Sequence, residues 1–262
     1  MSTKTLLPLL CAGMIGMADA AVVVKPLPYE IDGEAFEGLV VYDDAVTTPR
    51  PGLLMVPNWM GVSENAATKA ALLAGDKYVI FVADMYGKTI RPSNADEAKV
   101  AATTVRSDRP LMRKRAQAAV DVLKAQAGSV PLDISRLGAI GFCFGGGTVL
   151  ELARSGADLK GFVSFHGNLD TPDPRDAQNI KAPVLVLHGA DDPSVSPEQL
   201  AGFVTEMKAA KVDWQLVSYG GAVHSFTNPQ ANVPGSNEYH PLVAARAFKA
   251  MGDLFDEVFA ER

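Results

Sequence analysis

Three residues of this chain have the types and settings needed for nucleophilic chemistry: Cys143, Asp192 and His224. Cys143 is the centre of Gly141-Phe142-Cys143-Phe144-Gly145-Gly146, where the strand-like run Leu137 to Gly141 turns directly into a helix-like stretch, Gly146 to Arg154. A side chain held on so sharp a bend needs small neighbours, which the glycines supply. The unpaired N–H groups and dipole of the following helix favour a thiolate over a thiol. Downstream, Val184-Leu185-Val186-Leu187 leads into Gly189-Ala190-Asp191-Asp192-Pro193, a strand tip that carries an acid. Further on, Leu216-Val217-Ser218-Tyr219 leads into Ala222-Val223-His224-Ser225-Phe226, a second tip carrying a histidine.

An imidazole can take a thiol proton, and a carboxylate can fix the imidazole tautomer and stabilise its cation. The order nucleophile, acid, histidine is that of the α/β-hydrolases, whose partners converge from the ends of separate strands. Phe144 follows the nucleophile, so its backbone N–H is one donor for an oxyanion hole. Phe142 reads as a core aromatic.

The chain resembles the dienelactone hydrolase family, a cysteine branch of the α/β-hydrolases. The resemblance rests on Gly141 to Gly146, His188-Gly189-Ala190-Asp191-Asp192-Pro193, Ala222 to Phe226, Val82-Ala83-Asp84-Met85-Tyr86-Gly87 and Ser164-Phe165-His166-Gly167, and extends from about Leu27 to the C-terminus. It implies a Cys143–His224–Asp192 triad. Asp192 is preferred over Asp191 because Pro193 turns the chain immediately after it, which leaves Asp191 as a solvated loop carboxylate or an acceptor for nearby backbone N–H groups. By the family's arrangement Trp59 is the second oxyanion donor. Trp59, Phe144 and Met60 are candidate walls of an acyl pocket, and Asn58, Tyr86, Lys88, His166 and Phe226 are further candidate pocket residues.

Two departures from the family pattern bear on chemistry. The family typically has a glutamate where this chain has Asn58, and an amide accepts no proton at neutral pH, so activation falls to His224. The family's namesake enzyme also holds a substrate carboxylate with arginines. The corresponding neighbourhoods here read Tyr86-Gly87-Lys88-Thr89 and Phe226-Thr227-Asn228-Pro229. Lys88 or Arg91 could supply a cation but Lys88 lacks the planar fork of arginine.

The elements that must position these residues alternate. Strands are expected near Phe36 to Tyr42, Gly52 to Pro57, Tyr78 to Ala83, Ile134 to Gly141, Gly161 to Phe165, Val184 to Leu187 and Trp214 to Tyr219. Helix-compatible spacing covers Ser63 to Leu73, Ala95 to Val105, Leu111 to Ala125, Thr148 to Arg154, Pro197 to Ala210 and Leu242 to Phe259. The expected fold class is α/β: an α/β-hydrolase fold, with a mainly parallel central sheet and helices on both faces. The length of 262 residues suits a single domain over 21–262. Tyr86 points into the site or packs the strand end. His166 borders the site or serves a structural hydrogen bond. His188 supports the acid loop and His240 stands at a helix entrance. Residues 227–239 form either a cap over the pocket or a plain connection.

Residues 1–20 carry one early lysine, an apolar run from Leu6 to Met17, and Ala18-Asp19-Ala20, the small-residue pattern read by signal peptidase. Cleavage after Ala20 and a secreted, periplasmic location are expected, with no stable membrane insertion afterwards because the run is too short to span a bilayer. Cys11 would leave with this segment, making Cys143 the sole cysteine of the mature chain. An unpaired thiol is a liability in an oxidising compartment, which favours a use for it. The net charge of −6 and scattered basic residues argue against a nucleic-acid partner. No cofactor is expected: zinc spacing and a phosphate-cradling glycine loop are both missing from the sequence. The partner is instead a small-molecule ester or lactone. The leading expectation is a cysteine-dependent hydrolase working through a thioester, with acyl transfer, or ligand binding or thiol sensing without turnover, as the alternatives.

Overall fold

The computed structural model describes residues 22–260; the expected signal segment, with Cys11, lies outside them. Eight strands form the central sheet: β1 (Val22–Ile31), β2 (Glu34–Asp43), β3 (Arg50–Val56), β4 (Val79–Val82), β5 (Leu132–Phe142), β6 (Phe162–Phe165), β7 (Val184–Gly189) and β8 (Trp214–Tyr219). Their spatial order is β1-β2-β4-β3-β5-β6-β7-β8. From β4 to β8 every pairing is parallel, while β1 and β2 are added antiparallel at one edge. This is the mainly parallel α/β-hydrolase sheet expected.

Helices α1 (Glu64–Ala74), α2 (Ala95–Ser107), α3 (Arg109–Lys124), α4 (Phe144–Arg154), α5 (Pro197–Ala210) and α6 (Pro241–Val258) cover the sheet. Side chains alternate across a strand. Along β3, Leu53 and Met55 join the core under α1 and α6, while Leu54 and Val56 join the core under α2, α3, α4 and α5. Burial on both faces explains why the central strands read as continuous apolar runs.

Local chemistry sets the helix starts. Ser63, Asn94, Asp108 and Ser196 each cap a helix by accepting a backbone N–H with the side chain, and Pro197 and Pro241 occupy first-turn positions where no N–H is required. His240 caps α6 in the same way, which gives the histidine at the helix entrance a structural role. The strand β1 escapes the sequence reading because Pro26 and Pro28 interrupt it. It is an edge strand, where proline costs no interior ladder bond.

Candidate active site

The site lies where the parallel strands end. Cys143 follows β5, Asp192 lies just beyond β7, His224 beyond β8, Trp59 beyond β3 and Tyr86 beyond β4. Each strand is fixed by its neighbours, so the loops deliver these side chains to one edge of the sheet.

Cys143 has φ 55° and ψ −117°, a left-handed conformation that costs energy for a residue with a Cβ. Close packing explains how the bend is held. A Cβ on Gly141 would lie 2.0 Å from the Gly145 carbonyl oxygen, and one on Gly145 would lie 2.0 Å from that of Val56. The backbone is also pinned, with Cys143 N–H donating to Phe165 O at 3.0 Å and Gly146 N–H donating to Cys143 O at 2.9 Å. The elbow is therefore the product of glycine contacts and sheet hydrogen bonds rather than of the cysteine itself.

Three groups act on the Cys143 thiol against its burial. Burial pushes the Cys143 thiol up. The hydrogen bond and charge of His224, together with the backbone N–H groups of Phe144 and Trp59, outweigh it and bring the thiol below its ordinary range. His224 Nδ1 lies 2.8 Å from Asp192 Oδ2. Burial alone would favour neutral imidazole, yet the hydrogen bonds it donates to Asp192 and Cys143 push His224 up to about 10. Asp192 opposes its own burial through His224 and through Ser194, whose N–H and hydroxyl donate to Oδ1 at 2.8 and 2.6 Å, and its carboxyl is held below the usual range. Asp191 instead accepts the Gly221 N–H at 3.0 Å, the backbone-acceptor role expected of it.

Asn58 does not face its problem as a failed base. Its side-chain oxygen accepts the Met60 N–H at 3.0 Å and its carbonyl accepts the Gly61 N–H at 2.9 Å, which builds the turn that carries Trp59. Tyr86 both packs and lines. Its hydroxyl donates to Trp59 O at 2.9 Å and its ring lies 5.6 Å from that of Phe144. Burial, with the nearby Cys143 charge, raises its phenol well above the ordinary range. Asp84 holds the Tyr86 loop by accepting the N–H groups of Tyr86 and Gly87 at 3.0 Å.

Other expected pocket residues fall elsewhere. Phe226 is fully buried between the rings of His166 and Tyr219; it braces the site from the core and offers no surface to a substrate, which corrects the sequence expectation. Lys88 is held by Glu37 at 2.9 Å, so it supplies no free cation. His166 does both of the jobs considered for it: its ring meets that of His224 edge-on at 5.1 Å, and its Nε2 lies 2.9 Å from Thr227 Oγ1. His188 is buried beside the acid loop, and burial lowers its pKa although Asp192 opposes this. Phe142 is a core aromatic, stacked on Phe165 at 4.7 Å. Residues 227–239 form a small hairpin, β9 (Asn232–Val233) and β10 (Asn237–Glu238), whose Glu238 N–H donates to His224 O at 3.1 Å. The hairpin clamps the histidine.

Ser194, Thr227 and Lys69 were missed by sequence reasoning. Ser194 carries a local signal, the Asp-Pro-Ser turn in which a carboxylate accepts from the residue two positions on. Lys69 carries none: it lies on α1, and its Nζ donates to Thr227 O at 3.3 Å and Oγ1 at 3.4 Å while sitting 4.2 Å above the Phe142 ring. Burial lowers its pKa to about 8. Among the described residues no cluster of three His, Cys, Asp or Glu side chains could hold a metal ion, and no helix is long and apolar enough to cross a membrane.

This fold, with a glycine-flanked residue on an elbow after β5 and an Asp–His pair carried just beyond β7 and β8, defines the chain as an α/β-hydrolase. The sequence profile of the dienelactone hydrolase family matches residues 36–259, and the chain belongs to that family. It is an ester or lactone hydrolase of the dienelactone hydrolase type. A Bradyrhizobium protein named "Probable 2-oxo-3-(5-oxofuran-2-ylidene)propanoate lactonase" is 30% identical over 214 residues, covering 78% of this chain and 82% of the relative. The solved structure of m3DLH is 39% identical with a TM-score of 0.85, covering 92% of this chain and all of that one. A metagenomic dienelactone hydrolase-like promiscuous phosphotriesterase is also 39% identical, with a TM-score of 0.84 over 91% of this chain and 99% of its own.

Proposed function

We propose that the chain hydrolyses carboxylic esters or lactones through a thioester on Cys143. In this reading the Cys143 sulfur, as thiolate, attacks the substrate carbonyl. His224 holds the proton and returns it to the leaving alkoxide, and water, deprotonated by His224, then cleaves the thioester. Asp192 orients His224 and stabilises its cation. The Trp59 and Phe144 N–H groups receive the oxyanion, and each such donor typically lowers the barrier by about 3 kcal/mol. The single observation that carries the proposal is the elbow that holds Cys143 at φ 55° at the start of α4, with the His224–Asp192 pair, 2.8 Å apart, delivered from β8 and β7 to the same end of the sheet. Secretion through residues 1–20 is proposed alongside it, and N-terminal sequencing of the protein from periplasmic extract should begin at Ala21.

The experiment is p-nitrophenyl acetate hydrolysis by the mature protein beside Cys143→Ala and Cys143→Ser, with mass spectrometry of acid-quenched samples. Turnover should disappear in Cys143→Ala with the melting temperature retained, and the wild type should show an acetyl adduct on the Cys143 peptide. Unchanged hydrolysis in Cys143→Ala would sink the assignment.

A further inference from the structure

Beside the elbow, a hollow of about 630 Å³ lies between α2 and the segment that follows β4. Its volume falls within the range of small-molecule sites. Its lining includes Tyr86, Ile90, Pro92, Val100, Ala101 and Val105, and Ile90 and Val100 are exposed. Cys143 does not line it. Tyr86 does, and the same side chain bonds Trp59 O, packs on Phe144 and feels the Cys143 charge. Tyr86 is therefore the one lining side chain of the hollow that also touches Trp59 and Phe144. A second hollow, of about 610 Å³ between α5 and residues 169–178, touches none of these residues.

The charges around the first hollow decide what it can take. Arg91 is engaged by Asp84 Oδ2 at 3.0 Å and by the carbonyls of Gly87, Ile90 and Glu37. Arg115 donates to Met85 O at 2.8 Å and pairs with Glu34. Both cations are spent on the backbone and on carboxylates, while Asp96 and Glu97 add negative charge at the rim. An anionic group entering here would meet no free partner.

We infer that this hollow is the site for an uncharged, apolar arm of the substrate, so that the enzyme prefers neutral esters with a medium-length alkyl chain over carboxylate-bearing lactones. This rests on the hydrolase reading above and deepens it. Each methylene buried in an apolar site favours binding about three- to fourfold, so a chain long enough to pass Tyr86 and lie along Val100 and Val105 gains while an acetyl group does not.

The test uses p-nitrophenyl acetate, butyrate and octanoate with the wild type and with Thr104→Trp and Val100→Trp. Thr104 and Val100 line the hollow from exposed positions on α2, so the added rings fill it without entering the core. The KM for octanoate should be at least tenfold below that for acetate, and both variants should raise it about tenfold with acetate kinetics unchanged. A parallel titration of Cys143→Ala with methyl octanoate and with monomethyl suberate, followed by tryptophan fluorescence, reads binding without turnover. Methyl octanoate should bind at least tenfold more tightly than the half-ester, and Thr104→Trp in the Cys143→Ala background should abolish the difference. Equal KM values along the series, or equal binding of the charged and uncharged esters, would overturn the inference while leaving the hydrolase reading intact. Absence of turnover with binding that still follows chain length would overturn the hydrolase reading and leave the hollow's role standing.

Discussion

At the scale of single residues, Asn58 shows how a departure from a family pattern is resolved by geometry. An amide cannot serve as a base, but its oxygen is an acceptor of the right length to cap the Met60 N–H and so fix the Trp59 amide between them. Asn58→Asp retains that acceptor, and should keep kcat for p-nitrophenyl acetate within about threefold. Asn58→Ala frees the turn, and should lower kcat about ten- to hundredfold, short of the full effect of deleting an oxyanion donor, with the melting temperature reporting that the fold persists. Equal loss in the two variants would show that the amide itself matters. The candidate triad was legible because Cys143, Asp192 and His224 each sit in a short turn after an apolar run. Phe226 was misjudged for a physical reason: adjacency to a site histidine says nothing about which way a side chain faces, and here His224 turns toward Cys143 while Phe226 enters the core. Lys69 was invisible because its partners, Thr227 and Phe142, are distant in sequence.

At the scale of elements, the strands and helices were legible where period and capping agreed. The helix Pro197–Ala210 and the strand Trp214–Tyr219 fall on the expected bounds. The edge strand β1 was not, since Pro26 and Pro28 argue against an interior strand and only the pairing with β2 establishes β1 at the edge. Also hidden was how α4, the elbow helix, is anchored. Its Arg154 is buried, donating to Glu206 of α5 at 2.7 and 2.8 Å and to Glu151 at 2.9 Å, and Glu151 in turn holds Arg113 of α3. These ions tie three helices together, and removing Glu206 leaves the buried Arg154 with Glu151 alone, a carboxylate it shares with Arg113. Glu206→Ala should cost about 3–5 kcal/mol, lowering the melting temperature by roughly 10 °C for a chain of this size. Hydrolysis at 25 °C by the folded fraction should change less than about twofold, because the elbow is held independently by Gly141, Gly145 and the Phe165 carbonyl. A large kcat loss without a stability loss would reverse that ordering of roles.

At the scale of the whole molecule, the sheet gathers one acid, one base and one thiol from three strand ends, and their ionisations become a single property. His224 faces Asp192, Cys143 and the neutral, buried ring of His166, with Lys69 reached through Thr227. Its folded pKa of about 10 stands above the ordinary 6.5, so its contribution to stability is full below about 6.5 and is lost as pH rises through about 10. Asp192 and Cys143 are shifted downward. Their contributions are present above the ordinary carboxyl and thiol values respectively, and each is lost as pH falls through the lowered folded value. The charged thiolate–imidazolium pair therefore occupies a window that opens below the usual thiol range and closes near 10. Alkylation by iodoacetamide measures it directly, because only thiolate reacts. At pH 7 the wild type should react at least tenfold faster than His224→Ala. In the variant, burial acts on the thiol without its counter-ion, so the rate should climb only at or above the ordinary thiol range, and the two rates should approach each other above pH 10. Equal rates at pH 7 would mean that the helix N-terminus and the two backbone N–H groups activate the sulfur unaided, and that His224 enters the chemistry only after the thiolate has formed.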